Sequence, residues 1–191
     1  MSRAARFDLA DFETRRVKAD KEPQPQQPSI IWPLPKEAIL QVGETVMARR
    51  RGSNRPHKGV DIFVPPNTPV VAASEGRVLR VIDGRGSSNP DLRRAGLFVD
   101  VLVAVVPFDG LWVHRYLHLW KTTVKSRSYV EQGARIALTG TAGATGIEHS
   151  RPHIHFEVRQ AIQDTDGHIS YGDPVDPLKV LPVLQRGDRN A

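Results

Sequence analysis

The chain of 191 residues contains no cysteine. This excludes disulfide frameworks and thiolate metal sites, so any transition-metal site must use histidine and carboxylate ligands. Long apolar runs are also lacking: the longest, residues 99–108, is interrupted by Asp100 and falls short of the roughly 20 residues that span a bilayer. The first 22 residues mix charges of both signs and lack the apolar core of a secretory signal. We therefore expect neither a transmembrane segment nor a classical signal peptide.

Acidic residues are outnumbered by basic ones, and the formal net charge is +6. A basic surface suits a polyanion, such as nucleic acid, anionic lipid or the anionic polymers of a cell wall. The positive charge is scattered along the chain, without an aromatic stacking platform or a known recognition motif. We therefore expect no nucleic-acid partner, and a steep salt dependence of DNA binding would contradict this.

Proline and glycine number 15 each, which favours short elements joined by turns. Residues 1–22 could form an amphipathic helix or remain disordered, and residues 23–28 read as an extended Pro/Gln linker. We expect a flexible charged segment and linker over 1–29, one folded domain over 30–182 and a polar tail over 183–191.

From Ile30 onward, short β-rich runs alternate with turn signals, which is typical of an all-β domain. The predicted strands lie near 38–48, 59–63, 69–73, 76–83, 97–106, 111–118, 134–138 and 153–159. Residues 84–96 are expected to be a polar loop, and Pro174 is expected to end strand structure because proline cannot donate to a ladder. Residues 164–168 read as a hairpin turn that gives His168 no role.

Polar and apolar residues alternate over 153–158. Successive strand side chains point to opposite faces, so His153, His155 and Glu157 should share one face while the residues between them enter the core. Two imidazoles on one strand face can converge on one metal, or on a metal and its substrate. Taken alone, this pattern is equally consistent with a half-exposed strand.

Two further motifs carry histidine. His57 and Asp61 lie four residues apart at the start of a strand, and a bend at Gly59 would let them converge; imidazole and carboxylate are both ordinary zinc ligands. In the other motif, alternation would put His114, Tyr116 and His118 on one face, with Leu117 and Leu119 on the opposite face.

A catalytic zinc typically has three protein ligands and an open position for water. His57, Asp61 and one histidine of the His153/His155 pair would supply three. The remaining histidines would then be free to carry protons or act as electrophiles beside the metal, since the histidine pKa lies near neutrality.

The order of these motifs resembles the lysostaphin-type, LytM-like zinc metallopeptidases, which include peptidoglycan DD-endopeptidases. The family has His-x-x-x-Asp, then Tyr-x-His-Leu, then His-x-His followed by Phe-Glu, and this chain has all three at 57–61, 116–119 and 153–157. Connecting segments at 69–78, 133–140 and 176–177 are also similar. The resemblance covers roughly residues 30–182.

The resemblance implies one zinc ion per chain bound by His57, Asp61 and His155, with His118 and His153 assisting catalysis. It implies antiparallel sheets in a sandwich or barrel-like hybrid with an open, zinc-floored groove. The expected partner is a peptidoglycan peptide, hydrolysed at the cell wall or in the periplasm. Because the chain shows no classical signal peptide, release by a phage or injection by a secretion machine could deliver the protein, and the N-terminal segment could dock on such machinery.

The chain departs from the family pattern in the loop before the histidine pair, where residues 147–151 are inserted; this puts substrate choice in doubt. Glu148 and His149 in the insertion could be extra ligands or a solvated pair. Glu157 could hydrogen-bond a ligand imidazole or form a salt bridge. The alternative function is a non-catalytic peptidoglycan-binding or regulatory module on the same fold, against which the five intact site positions argue.

Overall fold

The computed structural model describes residues 30–43, 46, 56–104, 110–140 and 151–184. Its ten strands all pair antiparallel. They are β1 (Gln41–Val42), β2 (Val60–Phe63), β3 (Pro69–Val71), β4 (Gly76–Asp83), β5 (Leu97–Val103), β6 (Trp112–Thr122), β7 (Tyr129–Val130), β8 (Arg135–Thr139), β9 (His153–Gln163) and β10 (Ile169–Val175). One α-helix, α1 (Pro90–Ala95), and two 3-10 turns, Lys36–Ala38 and Pro177–Lys179, complete the described elements. The predicted all-β class is confirmed.

Strands β6 and β9 form the centre of the sheet, whose main order is β1-β2-β9-β6-β5-β4-β7. One edge of β9 pairs first with β2 and then with β10, while β6 pairs first with β9 and then with β8. These two changes of partner fold the single hydrogen-bonded sheet around its own core. They also bring β2, β6 and β9 side by side, and all the predicted site residues lie on or next to these three strands.

The main core collects the apolar positions of the alternating strands. On β9, Ile154, Phe156 and Val158 are at most 1% exposed, as the alternation predicted. All seven residues of β5 are buried. A smaller cluster on the other side of the sheet contains Ala95, Phe98 and Leu117.

His114 on β6 lies fully buried among apolar side chains. Its ring is 5.5 Å from the ring of Phe156, and its strand neighbours across the ladder are Val101 and Val158. Neither ring nitrogen has a hydrogen-bond partner among the described residues. Burial lowers the pKa of His114 to about 3 because the charged imidazole would be desolvated.

We expect the His114→Leu variant to resist acid better than the wild-type protein. His114 takes up a proton at pH 6.5 in the unfolded chain but only near pH 3 in the folded protein. The free energy of unfolding is therefore unaffected by His114 above pH 6.5 and falls as the pH drops from 6.5 towards 3. At pH 5 the loss is about 2 kcal/mol, since each pH unit below 6.5 costs about 1.36 kcal/mol. Urea unfolding of both proteins at pH 7 and pH 5 measures the difference, and parallel losses on acidification would contradict the prediction.

Some predicted element boundaries were wrong. Of the strand predicted over 38–48, only β1 is a strand among the described residues, after a 3-10 turn that ends at Ala38. Strand β10 continues through Pro174, because it pairs only with β9 and its register shifts between Tyr171 and Pro174. An edge strand with such an irregularity tolerates the missing N–H.

The predicted polar loop over 84–96 contains α1. The side chain of Asn89 caps this helix by accepting the backbone N–H groups of Asp91 and Leu92, and Pro90 occupies the first turn. Asn followed by Pro is a helix-start signal that the sequence reading overlooked. Within the described ranges, no helix is long and apolar enough to cross a membrane.

Candidate metal centre

The pairing of β2 with β9 builds the first half of the site. Asp61 lies directly opposite His155, and Phe63 lies opposite His153. His57 precedes β2, and the chain bends at Gly59 before the strand begins. Gly59 is also required by packing, since a Cβ there would lie 2.2 Å from the carbonyl oxygen of Phe156. This close approach fixes the segment from 57 to 61 against β9.

Three donor atoms meet at the end of this pairing. His155 Nδ1 is 2.7 Å from Asp61 Oδ1, and His57 Nε2 is 3.1 Å from Asp61 Oδ1 and 3.0 Å from His155 Nδ1. All three residues are buried. They form the only group of three or more potential metal-ligating residues found among the described residues. Ligand chemistry alone leaves the choice between His153 and His155 open and the family resemblance implies His155, which is the histidine that the geometry brings into the group.

The electrostatics of this triangle favour positive charge at its centre. Burial alone would raise the pKa of Asp61, but hydrogen bonds and charge from His155 and His57 outweigh burial and lower it well below the ordinary range. Burial alone would lower the pKa of His155, but its bonds to Asp61 and Glu157 raise it to about 9. The buried carboxylates of Asp61 and Glu157 lie on either side of the His155 imidazole. They therefore stabilise either a proton on His155 or a cation bound at this position.

The donor set fits a metal ion. A tetrahedral zinc with bonds of 2.0–2.1 Å separates its ligand atoms by roughly 3.3–3.4 Å, so the three donors need to spread by only a few tenths of an ångström. Two imidazole nitrogens and one carboxylate oxygen are a ligand set typical of zinc. His57, Asp61 and His155 could therefore hold a metal ion.

A β-bulge places His118 beside this triangle. Two residues of β6, Leu117 and His118, oppose the single residue Phe98 of β5, and His118 has φ 63°. Its ring centroid is 4.9 Å from that of His153 and 6.0 Å from that of His155. Bulges re-aim side chains in this way next to functional sites.

The bulge overturns one expectation about β6. Leu117 and Leu119 were predicted to share a face, but Leu119 joins Tyr116 in the main core while Leu117 packs with Phe98 in the small cluster. The extra residue shifts the alternation by one position. His118 consequently leaves the core face on which regular alternation would place it with Tyr116.

His153 is half-buried and lies beside the triangle, outside the donor set. Its Nδ1 is 2.8 Å from the carbonyl oxygen of Arg151. A carbonyl oxygen can only accept, so Nδ1 carries the proton, and the lone pair of the neutral ring lies on Nε2. This is the tautomer that can accept a proton through Nε2.

Glu157 has both of the roles that the sequence left open. Its Oε1 accepts from His155 Nε2 at 3.0 Å, which leaves His155 Nδ1 as the donor atom for a metal. Its Oε2 accepts from Arg115 Nη1 at 3.2 Å and Arg159 Nη1 at 3.4 Å. Burial alone would raise the pKa of Glu157, but His155 and the two arginines outweigh it and lower the pKa to about 2.

The network extends beyond Glu157 to a fully buried carboxylate that sequence reasoning missed. Asp100 accepts from Arg115 Nε at 2.9 Å, from Arg80 Nε at 2.7 Å and from the Tyr171 hydroxyl at 2.7 Å. The residues come from four different strands, so no local motif joins them. The only sequence signal was a single Asp within an otherwise apolar run.

Other predicted features contribute nothing to the site as described. His168 lies in the β9–β10 hairpin, where Asp164 Oδ1 accepts its backbone N–H, as the turn prediction expected. Glu148 and His149 lie outside the described residues. A separate pocket of about 270 Å³ lies between the N- and C-terminal ends of the described domain, and it includes none of the five site residues. Its lining is mainly apolar, with Trp32, Ile39 and Leu181 among its members.

Comparison with known proteins identifies the family to which the chain belongs. The model of peptidase family M23 matches residues 55–177. The match covers more than half of the chain, so the chain belongs to this family.

Among curated proteins, the chain is 34% identical over 151 residues to the cell division protein DipM of Caulobacter vibrioides, covering 79% of this chain and 20% of that protein. It is 37% identical over 131 residues to the peptidoglycan DD-endopeptidase ShyB of Vibrio cholerae, covering 68% of this chain and 24% of that protein. The chain thus spans about a fifth to a quarter of the length of these relatives.

Two solved structures have the same fold. A zinc containing peptidase from Vibrio cholerae aligns with a TM-score of 0.58 and 27% identity, covering 80% of this chain and 40% of that one. The catalytic domain of lysostaphin from Staphylococcus simulans aligns with a TM-score of 0.53 and 26% identity, covering 73% and 90%. The expected lysostaphin-type fold is therefore confirmed.

Proposed function

We propose that the chain is a zinc-dependent endopeptidase that hydrolyses peptide bonds in the stems or cross-links of bacterial peptidoglycan. The observation that carries the proposal is the convergence of His57 Nε2, Asp61 Oδ1 and His155 Nδ1 within 2.7–3.1 Å of one another. Membership of a peptidase family and the likeness to a peptidoglycan DD-endopeptidase support the reaction and the substrate.

In this proposal His57, Asp61 and His155 hold one zinc ion. When bound, zinc supplies a water of lowered pKa and polarises the scissile carbonyl. Asp61 balances positive charge between the two imidazoles, and Glu157 orients His155 through Nε2. The three proposed ligands are buried, while half-buried His118 and His153 can meet a substrate.

His153 and His118 are the proposed catalytic residues. The proton on His153 Nδ1 is held by the Arg151 carbonyl, so Nε2 is free to take a proton as the nucleophile attacks. In this proposal His118, whose ring centroid is 4.9 Å from that of His153, donates to the oxygen that becomes negative in the tetrahedral transition state.

We further propose that residues 30–182 form the peptidase domain, with the segment 1–29 acting as a tether to delivery machinery. The family match at 55–177 lies within that domain. The site of action would be the cell wall or periplasm, by analogy with the peptidoglycan DD-endopeptidase relative.

Digestion of purified, cross-linked peptidoglycan tests the function. We expect new peptide ends with the zinc-loaded protein, none after chelation, and recovery when zinc is restored, because the nucleophile requires the metal. Mass spectrometry of the fragments identifies the bond. Stoichiometric zinc binding without any cleavage would contradict the proposal and favour the non-catalytic binding module.

A further inference from the structure

We propose that Arg151 binds a carboxylate of the peptide beside the metal site, so that the protein prefers substrates with an acidic group near the cleaved bond. This inference rests on the proposed function. Arg151 ends the inserted loop, and Pro152 alone separates it from the first residue of β9.

The first observation is proximity to the proposed catalytic histidine. The Arg151 guanidinium lies 4.5 Å from the centre of the Phe63 ring, and that ring centre is 5.7 Å from the ring of His153. The guanidinium is therefore at most about 10 Å from the His153 ring. About three extended residues span that distance, so a substrate group there belongs to the immediate neighbourhood of the scissile bond.

The second observation is that hydrogen bonds hold both the guanidinium and the backbone carbonyl of Arg151. Its Nη1 donates to Gln41 Oε1 at 3.0 Å, and its backbone carbonyl accepts from His153 Nδ1 at 2.8 Å. Stacking on Phe63 adds a cation–π contact. An arginine fixed in this way loses little conformational entropy on binding, which favours recognition by a single side chain.

The third observation is that the guanidinium has N–H donors, beyond the one that Gln41 accepts, that no other described residue uses. Arg151 is exposed, and within the described part of the chain no carboxylate forms an ion pair with it. The other arginines near the site, Arg115 and Arg159, are engaged with Glu157. A planar fork with free N–H groups matches a carboxylate, which it can bind through two parallel hydrogen bonds.

The test uses cross-linked peptides isolated from peptidoglycan, both as free acids and after carbodiimide conversion of their carboxylates to amides. We expect wild type to cleave the free acid with a kcat/KM about tenfold or more higher, chiefly through KM, because a hydrogen bond to a charged group is worth at least this factor. Arg151→Ala should lose that factor on the free acid and treat both substrates alike. Arg151→Lys should recover only part of it, since lysine keeps the charge without the planar fork.

Arg135→Ala is the matched control, because Arg135 is an exposed arginine on β8, a strand that does not pair with β2 or β9. It should discriminate between acid and amide as wild type does. An equal loss on both substrates in Arg151→Ala, or wild-type discrimination in that variant, would overturn the inference.

A binding measurement separates this inference from the proposed function. Calorimetry with zinc-loaded His118→Asn, with and without Arg151→Ala, should show a preference for the free acid that the second substitution removes. If wild type cleaves neither peptide but this preference is present, the peptidase proposal fails and the carboxylate site stands. Equal affinity for acid and amide, or no binding of either, would overturn the carboxylate site.

Discussion

Asp100→Asn is expected to lower the free energy of unfolding by about 2–3 kcal/mol, because Arg115 then keeps only Glu157 as a counter-charge and three hydrogen bonds to a buried carboxylate are weakened. Asp100 is 0% exposed and accepts from Arg80, Arg115 and Tyr171. Asparagine keeps the shape but not the charge. Since whole domains are stable by only about 5–15 kcal/mol, the loss should be plain in urea unfolding at a fixed zinc concentration.

Asp83→Asn is the matched control for this prediction. Asp83 also pairs with an arginine, Arg85, but both side chains are well exposed. An exposed pair contributes little, so this variant should remain within about 0.5 kcal/mol of wild type.

A second variant separates loss of charge balance from loss of packing. Replacing both members of the pair, Asp100→Leu with Arg115→Met, should destabilise by less than the sum of the two single substitutions, since each single variant leaves one charge of the pair without this partner. If Asp100→Asn and Asp83→Asn were equally stable, the negative charge of Asp100 would not be needed to balance Arg80 and Arg115, and this prediction would be wrong.

Much of the site follows from short sequence patterns. Alternation over 153–158 places Ile154, Phe156 and Val158 in the core and leaves His155 and Glu157 for the opposite face, because β9 is regular there. The motif from His57 to Asp61 is likewise local. The meeting of Asp61 with His155 is not local: the ligand chemistry of zinc predicted only that one histidine of the His153/His155 pair joins His57 and Asp61, and the order of motifs shared with a known family selected His155.

What the patterns missed has a physical cause in each case. The bulge at His118 depends on the count of residues between partners on β5 and β6, which strand alternation assumes to be equal. The network around Asp100 depends on which strands become neighbours after folding. Strand β10 tolerates Pro174 because it is an edge strand, and the residues of a strand do not by themselves show whether it will lie at the edge of the sheet.

His118→Asn is expected to lower kcat on peptidoglycan peptides by about 10²–10³-fold while leaving zinc binding intact. His118 lies outside the donor triangle, so the metal should bind as before. The loss arises because the amide of asparagine is shorter than the imidazole and does not reach as far towards the developing oxyanion as imidazole Nε2. This interaction is made chiefly in the transition state, so KM should change little.

Asparagine is the substitution of choice because of the backbone at this position. His118 has φ 63°, a left-handed conformation that asparagine adopts more readily than alanine. His118→Ala should therefore lose the same activity but also some stability, whereas His118→Asn should melt close to wild type at equal zinc concentration. If His118→Asn loses zinc together with activity, His118 supports the metal centre. If it keeps full activity with zinc bound, the oxyanion is stabilised by another group, and the role proposed for His118 is wrong.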